Sequence, residues 1–391
     1  MTAKTVLYRA QQAAVGLGGH FLRWPKPVCV TGPGSLARLP DLLREAGAKK
    51  PLIVASRRQC AAPAFAAMMA GLESYALFSD VPADPPVDTV EAIAALYRRE
   101  GCDSFAAIGG GSPMDAAKAA AARIARPDKT LAQMGGLMKV GRAIPPFIAV
   151  PTTAGTGSET TMAAVVTGPD HHKYALGDLH LIPRYAILDP TLTVSLPPDI
   201  TAQTGMDAMT HAVEAYCSRF YNTNQTRRLA EAAVADIFRW LPAACENGED
   251  LTAREKLLTA SFRAGCAFTR AGVGNVHAIA HTLGGLYGVG HGLANAVLLP
   301  VILRDYGSTV APQLGRLAEA AGIAGGADGF VDAIFAMNEK LGIPRGFSCI
   351  READIPRMIA WADAEANPGY PVPVIYDREH FAEIIHRIRL E

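Results

Sequence analysis

Ser104-Phe-Ala-Ala-Ile-Gly-Gly-Gly-Ser-Pro-Met-Asp-Ala-Ala-Lys118 reads as a buried strand, a glycine turn and the start of an alanine-rich helix. An uncharged, largely apolar run passes directly into three glycines. Ser112-Pro113 then supplies a capping hydroxyl followed by a residue with no N–H to lose, the usual opening of a helix. Glycines at 109, 110 and 111 let the backbone come close to a ligand, and the free N–H groups and positive dipole end of the helix suit a pyrophosphate. A plain strand-to-helix turn has the same pattern, so its meaning depends on the flanking sequence.

On both sides the pattern repeats. Strands are expected at Pro51–Ser56, Tyr75–Ser79, Pro146–Val150 and Tyr185–Asp189, alternating with helices over 60–71, 89–99 and 113–125. Short β-rich runs alternating with helical stretches make parallel βαβ units. After Leu196-Pro197-Pro198 the β-branched runs vanish, and helix-periodic segments follow at 202–219, 226–245, 252–270, 275–283, 292–306, 310–321 and 327–340. The expected fold is therefore an α/β nucleotide-binding domain over residues 1–190, with 1–25 as an N-terminal extension, and an all-helical domain over 191–391. A short connection would leave the two flanking one cleft.

A second loop follows an apolar strand: Pro151-Thr-Thr-Ala-Gly-Thr-Gly-Ser-Glu159. Thr152, Thr153 and Thr156 offer hydroxyls to phosphate or ribose; the plainer alternative is that Ser158 caps a following helix. Two polar, glycine-containing loops at the carboxyl ends of parallel strands favour a ligand, because open α/β sheets bind there.

The second half carries a different chemistry. Asp207 and His211 stand four apart on an expected helix, so both project from one face. Three of the ten histidines, His277, His281 and His291, fall within fifteen residues of apolar and glycine-rich sequence. A buried imidazole without a partner costs free energy. Glycines at 284, 285, 288 and 290 permit a turn that returns His291 towards His277. One carboxylate and three imidazoles suit Fe²⁺, Zn²⁺, Co²⁺ or Ni²⁺ better than Ca²⁺ or Mg²⁺.

The chain has 391 residues and is half apolar, more than one core usually accommodates. Its 37 basic and 37 acidic residues cancel, which gives no electrostatic reason to expect nucleic acid or an anionic membrane as a partner. The seven cysteines are scattered and free of CxxC pairs, as in a protein with reduced thiols, and the expected location is cytoplasmic. The N-terminal apolar stretch is too brief and glycine-rich for a secretory signal, and no run approaches the roughly 20 residues a bilayer needs.

At Gly109–Asp115, Pro151–Glu159, Asp207–His211 and His277–Asn295 the sequence resembles the iron-containing (group III) alcohol dehydrogenase family. Order and spacing match from about residue 26 to the end, including Glu365-Ala-Asn-Pro-Gly-Tyr-Pro-Val-Pro373. The resemblance implies a dehydroquinate synthase-like architecture and a catalytic Fe²⁺ or Zn²⁺ held by Asp207, His211, His277 and His291. It also implies that His281 is a non-ligand catalytic histidine near the substrate. Gly110, Gly111, Ser112, Asp115, Thr152, Thr153 and Thr156 match positions around the cofactor's pyrophosphate, and Lys173 matches a lysine that approaches its ribose. The implied activity is hydride transfer between NAD(H) or NADP(H) and a small alcohol or aldehyde, in a homodimer or larger homo-oligomer.

Two departures concern the cofactor. Ser56, Arg57 and Arg58 follow the strand from Pro51 where many members carry an Asp, and Ala83-Asp84-Pro85 stands where Asn-Pro is usual. An acid at such a strand end bonds the ribose 2′-hydroxyl and repels a 2′-phosphate, whereas Ser56 leaves room for that phosphate and Arg57 or Arg58 can pair with it. NADP(H) is accordingly expected to be accepted. Polyol dehydrogenases and dehydroquinate synthase-like lyases resemble Asp or Glu plus two His, and maleylacetate reductase would be marked by loss of the ligands. The rival of another class is a non-catalytic cofactor- or metal-binding module.

Overall fold

The computed structural model describes residues 3–169 and 173–390. Its strands are β1 (Val28–Thr31), β2 (Pro51–Ala55), β3 (Ala76–Phe78), β4 (Ser104–Gly109), β5 (Gly136–Leu137), β6 (Phe147–Pro151), β7 (Ala163–Thr167), β8 (Lys173–Gly177) and β9 (Tyr185–Leu188). Six form one parallel sheet in the order β1-β9-β6-β4-β2-β3. Every residue of β2, β4, β6 and β9 is buried. That explains their uninterrupted apolar sequences, since helices cover a parallel sheet on both faces.

Alternate residues feed two cores. Leu52, Val54, Phe105, Ala107, Phe147 and Ala149 face one side; Ile53, Ala55, Ala106, Ile108, Ile148 and Val150 face the other. The helix Gly111–Ala125 lies in the first of these, where small alanines from 116 to 122 are wholly buried. It begins two residues before the expected start. Its N-cap is Gly110, which makes no side-chain cap hydrogen bond, so Ser112 is inside the first turn rather than capping it.

Four strands escaped the sequence reading. β1 is a four-residue edge strand, and β5, β8 and β7 form a separate small sheet in which β7 and β8 are antiparallel. Each is too short or too mixed to show a clean period.

By contacts the chain divides into two units. One comprises Trp24–Ser195 with Glu249–Phe262; the other takes the residues up to Arg23, Leu196–Gly248 and Arg263 onward. The N-terminal stretch expected as an extension of the nucleotide-binding layer therefore groups with the helical unit. It forms the helix Ala3–Phe21, where Arg9 donates to the carbonyls of Val372 and Pro373, and Gln12 to those of Pro368 and Tyr370. A Cβ on Gly16 would lie 2.8 Å from the Phe220 carbonyl oxygen, so a glycine of the stretch too glycine-rich for a secretory signal is what seats the helix.

The helix Pro198–Cys217 is buried without a break from Gly205 to Cys217, an all-round burial typical of a central helix. Helices Asn224–Glu246, Asn275–Tyr287, His291–Tyr306, Ala311–Ala321 and Gly326–Lys340 follow the expected periodic segments closely. Helices Ile355–Ala366 and Arg378–Ile388 were not anticipated. Among the described residues no single helix is long and apolar enough to cross a membrane.

Candidate metal centre

Asp207 and His211 project from one face of the buried Pro198–Cys217 helix. His277 sits in the first turn of Asn275–Tyr287, and His291 is the first residue of His291–Tyr306. Gly288 joins the last two helices in a left-handed conformation (φ 66°), which L side chains resist. Gly292 lets the third helix begin against the first, because a Cβ there would lie 2.4 Å from the Gln203 carbonyl oxygen.

The result is convergence: ligand atoms of Asp207, His211, His277 and His291 all lie within 4.8 Å of one another. The first three are buried and His291 is half-buried. The His211 and His277 rings stack with centroids 4.7 Å apart. Burial, then the neighbouring His211, His291 and His281, hold the His277 imidazole well below its ordinary pKa. It is therefore neutral, the form that ligates.

Two residues that the sequence reading passed over organise this group. Glu214, buried on the same helix as Asp207, accepts from the backbone N–H of Gly274 (2.8 Å) and Val276 (2.9 Å). It also lies 2.6 Å from His277 Nδ1. Burial raises the Glu214 carboxyl pKa, while the backbone donors counter it. With two N–H groups already aimed at its oxygens, Glu214 acts as the acceptor and His277 Nδ1–H as the donor, which turns Nε2 to the cluster. Asn295 Nδ2 donates to Asp207 Oδ1 at 2.8 Å and lies 3.2 Å from both His277 Nε2 and His291 Nε2. The spacing was a usable signal: Glu214 is seven residues after Asp207 and Asn295 four after His291, each on the same helix face as a candidate ligand of its own helix.

These side chains fit a borderline divalent ion: a carboxylate and three imidazoles, one held neutral, with carboxylate and amide partners fixing their orientation.

His281 stands beside the group. Its ring lies 5.1 Å from that of His291 and 5.9 Å from that of His277, centroid to centroid, and its side chain is 35% exposed. Nδ1 is 2.6 Å from Glu365 Oε1, which also accepts from the Tyr370 hydroxyl at 2.5 Å. Burial alone would raise the Glu365 carboxyl; His281 and Tyr370 outweigh it, and the group ends below its usual pKa. A carboxylate thus orients this imidazole too.

In the α/β unit the two glycine-containing loops meet. The Thr152 N–H donates to the Gly109 carbonyl, and a Cβ on Gly111 would lie 3.0 Å from Thr156 Cγ2. A Cβ on Gly110 would lie 3.5 Å from Thr153. The bare backbone at 110–111, its uncapped helix start and the threonines form a cradle that fits a pyrophosphate. Ser112 Oγ accepts from the Asp84 N–H (3.3 Å), and Lys173 pairs with Asp84 at 2.7 Å.

Asp115, expected beside the cofactor, is half-buried and accepts from Ser158 Oγ (2.7 Å) and the Val165 N–H (3.1 Å). Ser158 is likewise committed to the protein, and Gly157 is the cap of the short turn it begins. Ser56 caps the Arg57–Cys60 turn by accepting from Gln59 N–H. Arg57 pairs with Asp80 at 2.8 Å, and Arg58 donates to the Ser195 carbonyl. An acid that the strand from Pro51 does not supply is thus brought in just beyond β3.

A parallel nucleotide-binding sheet, a glycine-threonine cradle and a buried Asp-plus-three-His centre define a metal-dependent dehydrogenase. Comparison with known proteins gives the family. The model for "Iron-containing alcohol dehydrogenase" matches residues 26–190, and that for "Fe-containing alcohol dehydrogenase family, C-terminal" matches 201–388. The chain is 41% identical over 282 residues to the probable alcohol dehydrogenase EutG of Escherichia coli (strain K12), covering 71% of each protein. It is 35% identical over 344 residues to the NAD-dependent methanol dehydrogenase of Bacillus methanolicus, 84% of this chain and 90% of that one. A crystal structure of 1,3-propanediol oxidoreductase superposes with a TM-score of 0.89 at 33% identity, covering 94% of this chain and all of the other. The protein belongs to the iron-containing alcohol dehydrogenase family. It is an oxidoreductase of metal-dependent, nicotinamide-linked alcohol and aldehyde chemistry.

Proposed function

We propose that the protein interconverts a small alcohol and its aldehyde, with Asp207, His211, His277 and His291 holding one Fe²⁺ or Zn²⁺. The observation that carries this reading is the convergence of those four donors within 4.8 Å around a neutral, carboxylate-oriented His277. When bound, the metal polarises the substrate oxygen and the nicotinamide gives or takes the hydride. Glu214 keeps His277 in one tautomer, and Asn295 restrains Asp207 by donating to its Oδ1. His281, outside the ligand group and oriented by Glu365, passes the hydroxyl proton towards solvent, work suited to an imidazole near neutral pH.

Gly110, Gly111, Thr153 and Thr156 would hold the pyrophosphate, with Ser112, Thr152 and Lys173 flanking it; Asp115 acts behind them by fixing the Ser158 loop. We infer that both nicotinamide cofactors are accepted. The Arg57–Asp80 pair is about three-quarters exposed on each side, the kind of pair worth under about 1 kcal/mol. Arg57 can therefore exchange Asp80 for a 2′-phosphate, while Asp80 offers a carboxylate to a 2′-hydroxyl. The proposed setting is cytoplasmic, in keeping with seven free cysteines, as a homo-oligomer acting on a small molecule without nucleic acid or membrane.

The test is a panel of short aldehydes and alcohols assayed with NAD(H) and NADP(H) on protein loaded with Fe²⁺ or Zn²⁺. Turnover should require metal and vanish in His277→Ala, while His281→Ala should lower kcat with metal content preserved. Metal-loaded protein that binds nucleotide yet turns over none of the panel would favour the non-catalytic module. A strict NADH preference unchanged in Arg57→Ala would refute the dual-cofactor inference.

A further inference from the structure

A cavity lies within the helical unit, away from the residues assigned to metal or cofactor. It encloses about 410 Å³, within the range of small-ligand sites, between the end of the Pro198–Cys217 helix, the start of Asn224–Glu246 and the start of Ala311–Ala321. Arg219, Arg227 and Arg316 all line it. Among the described residues none of the three has a carboxylate within 4.0 Å. Arg227 donates to Asn222 Oδ1 (2.8 Å), and the Tyr216 hydroxyl donates to Glu231 Oε1 (2.7 Å). Glu231 is therefore engaged with Tyr216, and the wall keeps an excess of positive charge. Burial, then the charge of Arg219, pulls the nearby Arg9 guanidinium down to about 10.

Two further atoms point to a ligand. Ser218 lines the cavity, is 4% exposed, and its Oγ has no hydrogen-bond partner; Gln313 Oε1, also at the wall, is buried and without one. Buried polar atoms are normally satisfied, and three arginines with no carboxylate partner leave the hollow positive and open to an anion. We propose that this cavity binds a small phosphate ester. The guanidinium forks and Ser218 hydroxyl would hold the phosphate, and Gln313 Oε1 would accept from a hydroxyl on the ester's carbon skeleton. The volume leaves room for that skeleton beyond the phosphate, which is why an ester fits better than inorganic phosphate.

The experiment is calorimetric titration of metal-loaded, NAD-saturated protein with glycerol 3-phosphate, inorganic phosphate and glycerate. One saturable site is expected, with the ester binding more tightly than the other two. Arg219→Gln, Arg227→Gln and Arg316→Gln should each weaken the ester about tenfold or more, as expected for a lost charge-assisted bond. Ser218→Ala should weaken it less, and alcohol turnover should persist in Arg219→Gln and Arg316→Gln, which alter exposed side chains. No saturation at millimolar ester, or affinity unchanged in all three arginine variants, would overturn the site. Displacement of the ester by excess nucleotide would do the same, and glycerate or inorganic phosphate binding as tightly would overturn the ester assignment.

Discussion

Glu214 shows how one side chain decides what its neighbours do. Buried at 8% exposure, it takes N–H donors from Gly274, Val276 and His277, so it anchors the start of the Asn275–Tyr287 helix and fixes the His277 tautomer together. Removing the charge while keeping the shape should loosen both. Glu214→Gln is expected to weaken metal binding about 10–100-fold, the usual cost of losing such a partner, measured by competition with a chelator. Fluorescence and circular dichroism should show the fold retained. Metal affinity equal to wild type would mean that His277 is oriented without it.

At the scale of elements, the loop 156–163 and the helix Gly111–Ala125 are tied by charge that no cofactor contact explains. Lys118 is fully buried and donates to Ser158 Oγ (3.1 Å), to Thr161 (carbonyl 2.9 Å, Oγ1 3.0 Å), to the Ala163 carbonyl (3.1 Å) and to the Ser158 carbonyl. Burial pulls its pKa down to about 8 despite Asp115 and Glu159. Glu159, also buried, has both carboxylate oxygens without hydrogen-bond partners, and burial pushes it up to about 7. A carboxyl raised in the folded state favours folding while protonated. The benefit is complete below its ordinary value near 4.5 and is lost as pH rises to about 7, a change of at most about 3 kcal/mol. Glu159→Gln should therefore gain in stability relative to the parent as pH rises through that window, read as the difference between their melting temperatures. A difference constant with pH would show that Glu159 is ionised in the folded protein throughout.

For the whole molecule, the proposed metal centre draws its donors from three helices of one unit, so its occupancy would be linked to that unit's folding. An ion that binds the native chain and not the unfolded one stabilises by about 2.7 kcal/mol at a hundredfold excess over its Kd. Stripping with a chelator should lower Tm, and adding back Fe²⁺ or Zn²⁺ should restore it; His277→Ala should show neither shift. A Tm indifferent to metal in the parent would contradict the four-ligand site.

The sequence by itself determined the layered plan and the candidate ligand set. Buried parallel strands must be continuous apolar runs, and a ligand pair on a helix must recur at helical spacing, so β2, β4, β6 and Asp207–His211 were legible locally. The His277–His291 pair was legible because histidines among glycine and apolar residues demand partners. Only the tertiary structure decided what depends on distant neighbours. Asp80 meets Arg57 because β3 lies beside β2, Asp115 is held by Ser158 and Val165 from a later loop and strand, and Arg9 makes the N-terminal helix part of the helical unit through carbonyls more than 360 residues away. Short edge strands carry too little periodic burial to announce themselves, whereas Phe381, Ile384, Ile385 and Ile388 stand at helical spacing and were a usable signal for the last helix; a side chain's partner across the fold leaves no mark on the residues beside it.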